Sequence, residues 1–306
     1  MRAWVTLRAA LRARCDDLRT AVIVMAYGSP DRLEDVPAYY ADIRAGRPVS
    51  PEKVEELVAR YRRIGASPLN EVTERQRAAL ERELGLPVYV GMKHWEPWIA
   101  DATARALADG AERIVALVLA PHYSRMSIGG YRERLERALD GAQPDVRFIE
   151  SWHDHEPFLD ALADRIRGAD AHVVFTAHSL PERILATGDP YRDQLLETSR
   201  LVAERAGVPA DRWSFAFQSE SATGEPWLRP DILEHLAALH AHGVRKVLVA
   251  PVGFVADHLE ILWDIDVEAR ERAAELGLEL DRIASLNDDP PFIRALADLV
   301  RRELTA

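Results

Sequence analysis

Eight short apolar runs alternate with amphipathic helical patterns along the whole chain, and this alternation limits the fold more than any other feature of the sequence. The runs are "AVIVMA", "PVYVGM", "RIVALVLA" and "VRFIES", then "HVVFTA", "RWSFAFQ", "KVLVAP" and "LELDRIAS". Between them lie segments such as "DATARALADGAER" and "RPDILEHLAALHAHG". Continuous Val/Ile/Leu/Ala strands, each followed by a helix, form parallel sheets covered on both faces. Four runs precede about residue 165 and four follow it, in keeping with the two-domain expectation for 306 residues. The halves also echo each other, "VIVMAYGSP" with "VVFTAHSLP" and "VLAPHYS" with "LVAPVGF". The prediction is an α/β protein of two similar Rossmann-like, doubly wound domains, residues 21–165 and 166–306. Each has a four-stranded parallel sheet, and the C-terminal helix is free to pack back on the first domain.

Residues 1–20 read as an N-terminal extension. Trp4, Leu7, Leu11 and Leu18 would share one face of a short helix, while Arg8, Arg12 and Arg14 interrupt every apolar core that a signal peptide would need. No apolar run approaches the roughly 20 residues of a membrane helix. A net charge of −11 argues against a nucleic-acid partner, which requires a basic footprint. Cys15 is the only cysteine, so no intrachain disulfide and no four-cysteine iron–sulfur or zinc site can form. A cytoplasmic enzyme is the expected class. No GxGxxG follows a strand and no Walker-type loop is present, so nucleotide binding has no support from motifs.

Ligands of open parallel sheets sit at the carboxyl ends of the strands. Tyr27, Ser124, His178, Gln218 and residues 251–260 fall there, so a cleft between the halves is the default site. His178 ends a buried strand. Desolvation there would hold its imidazole neutral, ready to act as base or metal ligand, unless it merely caps the next helix. The segment "VGFVADHLEILWDIDVE" is predicted helical from about Asp257 and is apolar nearly all round, which marks a buried helix. Glu260, Asp264 and Glu268 recur along it at every fourth position. Such a line drifts about 40° per step on an α-helix and less on a π-type turn, a feature of functional sites. It is either a solvated face or a file of carboxylates that passes a hard divalent cation toward His178. His153, His155, His240 and His242 have the spacing of solvated loops and helix ends. His94 follows a strand end and is a candidate for the cleft wall.

"MAYGSP", "IGASPLN", "APHYS", "TAHSLPE", "FQSE" and "PVGFVADHLEILWD" together resemble the ferrochelatases, in this order and at these spacings, over about residues 21–305. Within that family the chain is most similar to the coproporphyrin ferrochelatases of Gram-positive-type bacteria, which lack a membrane anchor. The resemblance implies a chelatase-like pair of domains with a tetrapyrrole between them, and insertion of Fe(II) into coproporphyrin III to give coproheme. Fe(II) is then a substrate, and neither a cofactor nor an iron–sulfur cluster is expected. Position by position, it implies that His178 and Glu260 are the catalytic, metal-facing pair. Tyr27 lies on the opposite porphyrin face, and Arg44, Arg60, Tyr61, Ser67 and Tyr131 contact the macrocycle or its propionates. Asp264 and Glu268 correspond to an outer cation site. A cytoplasmic monomer is expected.

Two departures stand out: Ala45 replaces a second arginine common in the family, and "IGASPL" is one residue shorter than the usual form. After "PAYY" the chain is short, polar and basic, with Arg44, Arg47 and Lys53, where protoporphyrin enzymes carry a long apolar lip. The alternatives are a protoporphyrin IX ferrochelatase, a chelatase for another metal and tetrapyrrole, and a non-catalytic haem or porphyrin carrier. A carrier has no use for a buried line of acids.

Overall fold

The computed structural model describes residues 18–220 and 224–305. Cys15 and most of the N-terminal extension, including Trp4, Leu7 and Leu11, lie outside the described residues.

All eight apolar runs form strands. The first four are β1 (Thr20–Ala26), β2 (Val88–Met92), β3 (Arg113–Val118) and β4 (Asp145–Ile149). They build a parallel sheet in the order β2-β1-β3-β4, with Val22 opposite Val88 on one side and Val115 on the other. The last four are β5 (His172–His178), β6 (Trp213–Gln218), β7 (Lys246–Pro251) and β8 (Glu279–Arg282). Their parallel sheet has the order β6-β5-β7-β8. The two orders are the same permutation. In each half the first strand is central and the chain switches sides after the second, opening a crevice at the carboxyl end of the central strand. Tyr27 follows β1 and His178 ends β5, so the repeat carries both residues to equivalent crevices.

One large core joins the halves. Val22 and Val24 of β1 and Val173 and Phe175 of β5 belong to the same buried cluster as Trp152, Phe158, Phe292 and Leu296. The helix Pro290–Thr305 supplies Phe292 and Leu296, and its Arg301 donates to Glu83 at 2.8 and 3.1 Å, so the C-terminus rests on the first half. Separate clusters fill the remaining faces of the two sheets.

The connection from β1 to β2 holds three helices, Val36–Ile43, Pro51–Ile64 and Leu69–Leu84. The first two carry a small satellite core of Val36, Tyr39 and Tyr61, against which Trp95 and Leu259 pack. Leu259 comes from the second half, so this insertion spans the crevice. No helix among the described residues is long and apolar enough to cross a membrane.

Candidate active site

Between the two sheets lies a cavity of about 400 Å³, within the usual range for small-molecule sites. Tyr27, Tyr61, Ser67 and Tyr131 line it from the first half, and His178 and Glu260 from the second. Six of the ten residues singled out from the sequence therefore share one cavity. Arg44, Arg60, Asp264 and Glu268 are not part of its wall.

Local hydrogen bonds orient His178. Its Nδ1–H donates to the Ser179 carbonyl, which leaves Nε2 facing Glu260 Oε1 at 3.4 Å. The Tyr191 hydroxyl donates to the His178 carbonyl at 2.9 Å. Glu260 is held through its backbone, since its carbonyl accepts from Gln218 Nε2 at 3.1 Å and Gln218 accepts in turn from Thr176 at 3.0 Å. These contacts run from β5 through β6 to the acidic helix.

The expected neutral imidazole is corrected here. Burial pulls the His178 pKa down, but Glu260, the Ser179 carbonyl and Asp264 outweigh it and raise it to about 9. Burial opposes ionisation of Glu260 as well, and His178 and His258 overcome it to hold the carboxyl well below its usual range. Without ligand the pair is an imidazolium and a carboxylate sharing one proton.

The acidic segment has π geometry over Ile261–Ala269 and continues as the helix Arg270–Leu276. It begins at Leu259, two residues later than expected, because Asp257 is engaged elsewhere. Its carboxylate accepts from Ser285 at 2.7 Å and Asn287 at 2.9 Å, and pairs with Arg282 at 3.2 Å. Asp264 is buried and accepts from the Ser219 hydroxyl. Burial and the charges of Glu260 and Glu268 raise its pKa to about 7. Glu268 is half-buried one step farther out. Among the described residues no three His, Cys, Asp or Glu side chains are grouped so as to hold a metal ion, so the acids form a line instead of a cage.

Arg60 stands beside that line. It pairs with Glu56 at 2.7 Å, reaches Asp264 at 4.0 Å and covers the Trp263 ring at 5.5 Å. Arg44 is half-buried next to Ile43, which does line the cavity. Tyr61 is buried, its hydroxyl 3.2 Å from Ser29 Oγ. Ser67 Oγ accepts from Leu69 N at 3.4 Å.

Sequence reasoning passed over several wall residues. His258 sits within "DHLE", with Nε2 3.5 Å from Glu260 Oε2 and Nδ1 donating to the Ala256 carbonyl at 2.9 Å. Glu260 thus has an imidazole on each oxygen, a pattern visible only as His-x-Glu spacing. His122 of "APHYS" is fully enclosed and bonds Thr198 at 2.9 Å. His94 does line the cavity, its ring 4.5 Å from that of Tyr27 and its Nδ1 2.7 Å from Asp42. Two expectations of solvated histidines fail. His155 is buried against the Ala295 carbonyl of the C-terminal helix, and His153 is mostly covered and bonds Glu197 at 3.0 Å.

The family model for ferrochelatase matches residues 19–304. The chain belongs to the ferrochelatase family. The ferrochelatase of Herpetosiphon aurantiacus is 46% identical over 301 residues, covering 92% of this chain and 98% of its own. That of Deinococcus radiodurans is 45% identical, covering 92% and 95%. The coproporphyrin III ferrochelatase of Geobacillus thermodenitrificans is 42% identical over 92% of this chain and 95% of its own. Among solved structures, SirB from Bacillus subtilis with Fe3+ superposes with a TM-score of 0.58 at 12% identity, covering 94% of this chain and 96% of its own. The siroheme-pathway enzyme CbiX gives 0.50 at 13% identity, covering 93% and 99%. At such identities the two structures show that ferrochelatases share this two-sheet fold with other chelatases, and nothing about substrate.

Proposed function

We propose that this chain is a cytoplasmic ferrochelatase that inserts Fe(II) into coproporphyrin III and releases coproheme. The observation that carries the reading is the His178–Glu260 pair, 3.4 Å apart in the wall of a cavity between two chelatase-type sheets. Metallation removes two pyrrole protons and strips water from the metal. A flat porphyrin keeps its nitrogen lone pairs in the ring plane, and bending exposes them. Binding energy from remote propionates can supply about 1–5 kcal/mol of such strain. In the resting pair Nε2 already carries a proton. An incoming dication repels that charge, so the proton departs toward Glu260 and the acidic line, and Nε2 becomes free to take a pyrrole proton or meet the metal. General-base assistance of this kind typically contributes about 10²–10⁴-fold. Asp264 and Glu268 are assigned the capture of divalent cations, and Arg60 adjusts their charge.

Coproporphyrin carries two propionates where protoporphyrin carries vinyls. Arg44, Arg47 and Lys53 lie on the insertion that spans the crevice, and none has a side-chain ion pair among the described residues. A charge-assisted hydrogen bond contributes about 1.5–3 kcal/mol, so two missing propionates lower kcat/KM by about 10² or more. The test is anaerobic Fe(II) insertion into each porphyrin at equal monomeric concentration, followed by absorption. A clear preference for coproporphyrin is expected; parity, or a preference for protoporphyrin, overturns the assignment. A protein that binds porphyrin but never metallates it would instead be a carrier.

A further inference from the structure

Lys93 is a buried cation in the cavity wall that the metallation chemistry does not use. The residue is 9% exposed and directly follows β2, and its side chain lines the cavity. An ammonium has three donors. One goes to the Ser127 carbonyl at 3.2 Å, and the Tyr131 ring lies 4.8 Å from Nζ. No carboxylate of the described residues reaches it. Asp42, one of the two acids whose field it feels, is committed to His94 at 2.7 Å and Arg134 at 3.1 Å, and the other, Glu133, is exposed.

The surroundings are shaped to hold this charge. A Cβ on Gly130 would stand 2.7 Å from Nζ and 3.0 Å from Cε, so the glycine leaves room for the ammonium in the position it takes. Gly130 also carries the helical run on from the turn Arg125–Gly129 into the helix Gly130–Leu139, so the amine lies against continuous helical backbone. Burial lowers the pKa to about 8, which leaves the amine charged at neutral pH. A buried charge without a counter-ion costs stability, and it persists where a ligand supplies the missing partner. Ser127 and Tyr131, which hold the amine, line the same cavity.

We infer that Lys93 is an internal counter-ion for a carboxylate of the bound tetrapyrrole, anchoring one propionate beside Ser127 and Gly130, where the turn Arg125–Gly129 runs into the helix Gly130–Leu139. The inference rests on the tetrapyrrole reading of the cavity, and it separates anchoring at Lys93 from the chemistry at His178.

The experiment measures metal-free binding by fluorescence quenching, so it is independent of turnover. Coproporphyrin III and its tetramethyl ester are titrated, in one detergent buffer, into wild type, Lys93→Met and Lys93→Arg. Lys93→Met is expected to weaken binding of the free acid by about 10- to 100-fold. The ester should bind the two proteins within about threefold of each other, as no charged hydrogen bond is at stake. Lys93→Arg should recover most of the loss. Without porphyrin, Lys93→Met should melt at or above the wild-type temperature, because a buried charge is replaced by an apolar chain of similar length. Equal losses for acid and ester, no loss for either, or a marked fall in Tm would each show a structural lysine and overturn the inference. If the wild type prefers protoporphyrin and the same contrast appears with its dimethyl ester, the coproporphyrin reading fails while the counter-ion stands. If it binds no porphyrin, both fall.

Discussion

His178 Nε2 stands 3.4 Å from Glu260 Oε1, and the residues that hold the two groups come from β5, β6 and the start of the acidic helix. The pair is therefore assembled by the second sheet alone. The first half contributes the facing tyrosines and the insertion across the crevice.

Replacing His178 with Ala should lower Fe(II) insertion by at least about 10²-fold, the usual size of a general-base contribution. Porphyrin affinity should stay within a few-fold, because the propionate contacts assigned above lie elsewhere. Anaerobic insertion rates and fluorescence titration measure the two separately. A variant that keeps more than about a tenth of the wild-type rate would remove the base role from His178.

The acidic line predicts a gradient. Glu260→Gln should slow turnover severely at any iron concentration, whereas Asp264→Asn and Glu268→Gln should mainly raise the Fe(II) KM. Only Glu260 meets an imidazole; Asp264 meets Ser219 and Arg60. Tyr27→Phe should stay active, as its neighbour His94 is bonded to Asp42 and is not poised as a base. Equal kcat losses at all three acids, at saturating iron, would contradict the gradient.

Gly253 follows β7 and lies against the strand that carries His178. A Cβ there would meet Ala177 Cβ at 2.5 Å and Ala177 Cα at 2.9 Å, a clash with backbone that no rotamer relieves. Gly253→Ala should cost about 1–3 kcal/mol of stability, the usual range for overpacking. Because the displaced residue precedes His178, insertion should slow more than the fall in Tm explains. Thermal melts and rates at a temperature where both proteins are folded give the comparison.

Above the carboxylate range, the pH dependence of stability should be set by buried histidines and by Asp264 acting against each other. Burial lowers the pKa of His94, His122, His155, His172 and His235. Below the ordinary value of 6.5 the unfolded chain binds protons at these sites that the native state refuses, so stability falls as pH falls. His94, lowered to about 4, accounts for about 2 kcal/mol between about pH 6.5 and pH 5. Asp264, raised to about 7, acts in the opposite direction and offsets the His94 contribution by a comparable amount. His178, raised to about 9, contributes stability that is complete below 6.5 and is lost as pH rises through 9. Asp264→Asn should therefore make Tm fall more steeply between about pH 7.5 and about pH 5 than in the wild type, and an unchanged slope would refute the raised pKa of Asp264.

Strand runs, their pairing with helices and the placement of Tyr27 and His178 at strand ends were all legible in the sequence. Each is a local pattern: a parallel strand buried on both faces must be apolar throughout, and its end is marked where polar residues begin. The buried acidic helix was legible for the same reason, since Glu260, Asp264 and Glu268 interrupt an otherwise apolar run. Charge state was not. The proton on His178 depends on Glu260, which is 82 positions away in the chain and 3.4 Å away in space. Burial alone argued for a neutral ring, and only the fold supplies the carboxylate that reverses it. His155 looked like a loop histidine until the C-terminal helix covered it. Lys93 drew no notice as a basic residue after a strand; its meaning lies in having no ion pair among the described residues although it is buried. Periodicity along the chain determines which residues are buried, because burial is imposed element by element. Which buried charges meet, and which are left for a ligand, is decided through space, where Coulomb interactions sum over neighbours that the chain order does not reveal.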